Sequence, residues 1–112
     1  MKVNELRIGN WVMGYHNPFK WSLEHFDLLK QADLDEIIKE PVLITEEILL
    51  KCGFEQSLLD SSEFSIGAFE CIIKEDGCGA YFRLCWMADI KHLHQLQNLY
   101  FAITGEELKV EL

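Results

Sequence analysis

The stretch HLHQLQNLYFAIT, His92 to Thr104, contains no Lys, Arg, Asp or Glu, in a chain that is 26% charged with a formal charge of -9. From Leu93 onward its apolar residues recur at helical spacing. Gly105 follows, and glycine commonly closes a helix because it takes the left-handed conformation easily. The spacing predicts a helix that begins between Ile90 and His92 and stops at Gly105. Stepping round it at about 100° per residue spreads Leu93, Leu96, Leu99, Tyr100, Phe101 and Ile103 over an arc of about 200°. A surface helix needs a stripe of only about 100°. So wide an arc belongs to a central core helix, packed on a sheet and covered by a loop.

The polar residues of this helix divide in two. Gln97 falls inside the apolar arc, between Leu93 and Phe101, so it is expected to be buried. A buried amide must be hydrogen-bonded, here to the backbone of a neighbouring strand or loop. His94, Gln95 and Asn98 lie outside the arc with Ala102. They form an uncharged candidate contact surface, since charge is depleted at the cores of protein interfaces. The partner would be another protein, or a second copy of this one across a two-fold axis.

Elsewhere the chain alternates between strand and helix signals. ELRIGNWVMGY reads as a strand with a bulge or bend at Gly9-Asn10, and HNPF as a turn. Ser22 caps a helix with Leu23, Phe26 and Leu29 at helical spacing, and ADLDEIIKEPV connects it onward. In ITEEILLKCGF, Thr45 is a cap, Glu46 and Glu47 suit the positive helix end, Lys51 suits the negative end, and Gly53 closes the helix. FSIGAFECIIKEDGCGAYFRLCWM reads as one β-hairpin turning at EDGCGA. It carries a bulge near Gly67, and Cys71 could face Cys85 across the strands. ELKVEL alternates as a last strand. Helices and hairpins are interspersed, so the fold class is α+β. The sheet is mostly antiparallel, with a C-terminal core helix and two shorter helices, in a single domain over residues 1–112.

Charge and motifs narrow the function classes. The chain has 19 acidic and 10 basic residues, and the acids are spread through both halves. That leaves few cations to replace the counterions of a nucleic acid, so direct nucleic-acid binding is not expected, nor is attraction to anionic lipid. No apolar run approaches the roughly 18 residues of a membrane span. The N-terminus lacks the apolar region of a signal peptide, and the four cysteines lack C-x-x-C spacing, so a cytoplasmic protein with free thiols is expected. His92 and His94 could share a metal ion on a strand, but on a helix they stand about 200° apart. His16 and His25 add no useful spacing, so no metal site is expected. No nucleophile, phosphate-loop or dinucleotide motif is present. No catalytic residue, cofactor-binding residue or cofactor is therefore assigned, and a non-enzymatic role is favoured.

Three segments carry a resemblance. NELRIGNWV (Asn4 to Val12), PVLITEEILLKCGFE (Pro41 to Glu55) and IKHLHQLQNLYFAITGEELKVEL (Ile90 to Leu112) resemble, in the same order, the motifs of a family of short uncharacterised proteins from Bacteroides-group bacteria and their phages and prophages. The chain departs from that pattern at Leu43, where the family has a second proline, and at His92, where it has an aromatic. The resemblance implies a full-length single domain in a mobile-element setting and carries no activity or site. The leading expectation is a small acidic protein that works by protein–protein contact, as a phage- or prophage-encoded accessory factor. The alternatives are an enzyme or small-ligand binder with a site built from scattered residues, and an acidic nucleic-acid mimic.

Overall fold

A computed structural model describes residues 2–112. After a 3-10 turn at Val3–Glu5 come strands β1 (Trp11–Met13) and β2 (Pro18–Lys20), helices α1 (Leu23–Leu28) and α2 (Leu34–Ile37), strand β3 (Glu40–Pro41) and helix α3 (Glu46–Lys51). Strands β4 (Glu55–Gln56), β5 (Glu63–Ile66), β6 (Phe69–Lys74), β7 (Gly77–Phe82) and β8 (Cys85–Ile90) follow, then helix α4 (Leu93–Thr104). The strands form two antiparallel sheets, ordered β2-β1-β3 and β4-β5-β6-β7-β8. The fold is α+β.

Helix boundaries follow the local chemistry. The Thr45 hydroxyl accepts the Ile48 N–H at 3.2 Å, satisfying one of the open donors at the start of α3. Helix α4 ends at Gly105, which has φ +75° and donates its N–H to Phe101 at 2.8 Å. Ser22 is the residue before α1, as its type suggests. Leu23, however, is 65% exposed, and only Phe26 and Leu29 of the expected apolar trio reach the core. The connecting segment contains one helical turn, α2, whose Leu34 and Ile37 pack on the same core.

The larger sheet corrects the single-hairpin expectation. Gly67 and Ala68 form a tight turn between β5 and β6, not a bulge. The next turn is at Glu75-Asp76, and a third, unforeseen one at Arg83-Leu84 separates β7 from β8. The alternation through Phe82, Leu84 and Trp86 therefore spans two strands. Cys71 lies opposite Ala80 and Cys85 opposite Phe82, so the two cysteines do not face each other. The bulge occurs later, where Met87 is the extra residue between the pairs Ala80↔Ala88 and Tyr81↔Trp86. The expected last strand is also absent. Leu108 is buried, but the segment makes its backbone bond from Glu111 N–H to the Lys51 carbonyl, at the end of α3. Its alternation reflects packing beside a helix end.

Two apolar cores result. The larger packs Phe64, Phe69, Cys71, Cys78 and Ala80 from the inner sheet face against Leu49 of α3 and Leu93 and Leu96 of α4. The smaller gathers Leu6, Val12, Trp21 and Ile38 around the three-stranded sheet. The chain leaving β3 joins the two halves. Ile44 N–H bonds to Lys91 O at 2.9 Å and Leu93 N–H to Val42 O at 2.8 Å, forming a bridge between Leu43 and His92.

Two turn positions are sterically demanding. Gly77 has φ +101°, and a Cβ there would sit 2.1 Å from the Ile90 carbonyl oxygen, so only glycine lets β7 start this close to β8. Arg83 and Leu84 both have positive φ, 51° and 68°, in a two-residue turn where Asn and Gly are favoured. The left-handed conformation costs an ordinary side chain roughly 1–2 kcal/mol. Leu84 is 83% exposed, so removing its side chain loses little packing. Leu84→Gly is expected to raise stability by about 0.5–1 kcal/mol in a urea melt with unchanged m-value. A lower midpoint would contradict strain at this turn.

Candidate functional site

Helix α4 has contacts on both flanks. Its apolar side lies on the five-stranded sheet, and its polar side lies against the N-terminal segment. Gln97 is 2% exposed. Its carbonyl accepts the Trp11 N–H at 2.7 Å, and its amide donates to the Gly9 carbonyl at 3.0 Å. One side chain thus satisfies both a donor and an acceptor of the bend that leads into β1. Asn98 continues the pattern. Its Oδ1 accepts from Arg7 Nε at 2.7 Å and from Asn10 Nδ2 at 2.9 Å, while its Nδ2 donates to Glu5 O at 2.8 Å. Asn10, fully buried, also accepts the Arg7 N–H at 2.6 Å.

Arg7 closes the cluster. Its guanidinium pairs with Glu107 at 2.8 Å, donates to Gln97 O at 3.2 Å and lies 4.6 Å from the centre of the Phe101 ring. The sequence placed Asn10 at a bend but connected neither it nor Arg7 with α4. Their partners lie about ninety positions away, and no local pattern links them.

This arrangement relocates the candidate contact surface. His94 is 1% exposed, so it is a core residue and not a surface one. Gln95 uses its Oε1 to accept the Lys91 and His92 N–H groups, both at 3.0 Å, ahead of the first turn of α4. Asn98 is spent on Arg7, Asn10 and Glu5. Of the predicted trio, Gln95 and Asn98 are bonded within the chain and His94 is buried. The 200° apolar arc located the sheet-facing side but could not show that a second segment covers the opposite side.

The histidines also depart from the helical argument. His92 precedes the helix in extended backbone, with φ -121° and ψ 149°. The His92 and His94 rings therefore stack, with centroids 5.7 Å apart and planes 10° from parallel. Among the described residues, no three His, Cys, Asp or Glu side chains gather to hold a metal ion. Both ring nitrogens of His94 are buried without a hydrogen-bond partner. Burial, reinforced by His92, lowers its pKa to about 4, with Glu5 opposing the shift.

Two of the buried thiols are shifted away from reactivity. Cys52, Cys71 and Cys78 are buried and Cys85 is exposed. Burial pushes the Cys52 pKa up to about 12. Hydrogen bonding with Cys78, followed by burial, raises that of Cys71. A nucleophilic cysteine needs the opposite shift.

The conspicuous exposed feature is one the sequence reading missed. Leu58 and Leu59 are 102% and 99% exposed, in the loop between β4 and β5. The loop is bonded to itself. Ser57 Oγ accepts the Leu59 and Asp60 N–H groups at 3.2 and 3.4 Å, and Asp60 Oδ1 accepts from Ser62 N and Oγ at 2.9 and 2.7 Å. Gln56 Nε2 donates to Ser61 O at 2.8 Å across its base. The Ser62 bonds hold the Asp60 carboxyl below its ordinary pKa. In sequence, an adjacent leucine pair looks like core, which is why it gave no signal. Strand β8 adds an exposed sheet edge, with Trp86 57% and Met87 41% exposed. Its bulge, and Asp89 paired with Lys74 at 2.7 Å, blunt that edge.

No family model, curated protein or solved structure matches the chain. Among the described residues, no helix is long and apolar enough to cross a membrane.

Two stability predictions follow from the packing around α4. Gln97→Ala leaves the Trp11 N–H and the Gly9 carbonyl unpaired, so it should cost about 1–3 kcal/mol in a urea melt. A loss within experimental error would contradict that. His94 has a folded-state pKa near 4 against an ordinary 6.5, so the unfolded chain takes up the proton first. Stability is therefore intact above pH 6.5 and falls as pH drops toward 4, by about 3 kcal/mol from this residue. In His94→Phe the slope between pH 6.5 and 4.5 should flatten. An unchanged slope would remove His94 as its source.

Proposed function

We propose that the protein works by contact with another protein, and that Leu58 and Leu59 are the side chains it inserts. The supporting observation is their almost complete exposure on a loop fixed by its own hydrogen bonds. A flexible loop could fold its leucines down; this one holds them out. Burying each in a partner's apolar pocket would contribute roughly 1.5–3 kcal/mol. The ordering entropy is already spent in the free protein, which favours binding. Paired exposed leucines with no packing role are what a contact anchor requires. The surrounding Glu55, Asp60 and Glu63 favour a partner whose pocket has a neutral or basic rim. In the setting implied by the motif resemblance, this is a phage- or prophage-encoded accessory factor that acts on a host or viral protein.

The exposure makes the test clean. Leu58→Ser/Leu59→Ser should leave the urea midpoint unchanged, since the residues pack against nothing. Tagged wild-type protein is expected to recover a partner from host extract, and the double variant to lose it. Recovery of the same proteins by both forms would remove the leucines from the contact. Equal sedimentation of the wild type with neutral phospholipid vesicles, lost in the variant, would replace the protein partner by a membrane. Light scattering identifies the case in which the partner is a second copy.

A further inference from the structure

An open groove of about 720 Å³ lies between α3, the end of β5 and the segment after α4. Its floor is apolar: Leu50, Ile66, Tyr100 and Leu108 line it, and Leu50 is 52% exposed although it sits on a helix of the main core. Its rim is charged. Glu47 is paired with Lys51 at 3.3 Å and Glu107 with Arg7 at 2.8 Å. That leaves Glu106 and Glu111 without an ion pair among the described residues, against one ammonium, Lys109.

The backbone adds to this sign. Tyr100 and Glu106, on either side of the C-terminal end of helix α4, both line the groove, and the last turn of that helix carries no basic residue. The negative end of a helix favours a cation, and Glu106 directly beyond it increases the field. An apolar floor beneath a rim with more free carboxylates than ammoniums selects an occupant with apolar side chains and positive charge. The size is that of a ligand or short-peptide site, and its open shape suits a segment laid across it.

We infer that this groove binds a short basic, apolar segment of a partner protein, with Leu or Phe side chains on the floor and Lys or Arg at Glu106, Glu111 and the end of α4. The inference does not depend on Leu58 and Leu59, which lie on a different loop.

The probe is a synthetic labelled peptide, Lys and Leu alternating around one Phe, followed by fluorescence anisotropy. The control peptides replace Lys by Gln or by Glu. The Lys peptide should bind, the Gln peptide at least about tenfold more weakly, and the Glu peptide not at all. Leu50→Asn should weaken binding of the Lys peptide, and Glu106→Lys/Glu111→Lys should abolish it. Glu36→Lys/Glu75→Lys changes the net charge equally but lies away from the groove, so it should leave the affinity within about twofold. Urea midpoints confirm that each variant is folded. The proposal is overturned if the Lys peptide fails to bind, if Gln and Lys peptides bind alike, or if the distant pair weakens binding as much as the groove pair. Leu58→Ser/Leu59→Ser should bind the peptide normally, which separates failure of the groove from failure of the leucine contact.

Discussion

Gln97 holds the two halves of the molecule in one arrangement. Its amide reaches from the middle of α4 to the Gly9 carbonyl and the Trp11 N–H, the two backbone groups that the start of β1 leaves open. Around it, Asn98 and Asn10 bind Arg7, and Arg7 reaches Glu107. Apolar packing alone would let the small sheet slide over the helix, because the hydrophobic effect has no direction. The amides fix the register, and the larger core on the other side of α4 gives them a rigid base.

This explains why the helix carries amides and no charges. A carboxylate or ammonium at position 97 would have to lose its hydration and could offer only acceptors or only donors. The backbone it meets presents one of each. A primary amide answers both, at a lower desolvation cost than an ion. The only cation in the cluster, Arg7, enters from the periphery, where its carboxylate partner is half-exposed.

The α+β class, the α3 helix with its Thr45 cap, and the extent of α4 were legible because each rests on local spacing or a local hydrogen bond. The burial of Gln97 was legible for a related reason: its place on the helical wheel depends only on its neighbours. The third turn of the sheet was hidden because Arg83 and Leu84 are not turn residues by type, and their conformation is imposed by the strands they join. Asn98 looked free because the segment that binds it lies at the far end of the chain, and Gln95 because its Oε1 turns back to the backbone ahead of its own helix. Leu58 and Leu59 passed unnoticed because composition identifies apolar residues but not whether anything covers them.

The cluster at Arg7 also bears on how the chain acquires its structure. Its bonds to α4 and the segment beyond link residues 86 to 100 positions apart, so nearly the whole polypeptide must be present before they form. The four β-hairpin connections of the large sheet are local and can close early, and α4 can dock on that sheet as soon as it is made. The N-terminal sheet, synthesised first, lacks its backbone partners until α4 arrives. Emerging from a ribosome, the first forty residues are an unsatisfied client waiting for the last twenty.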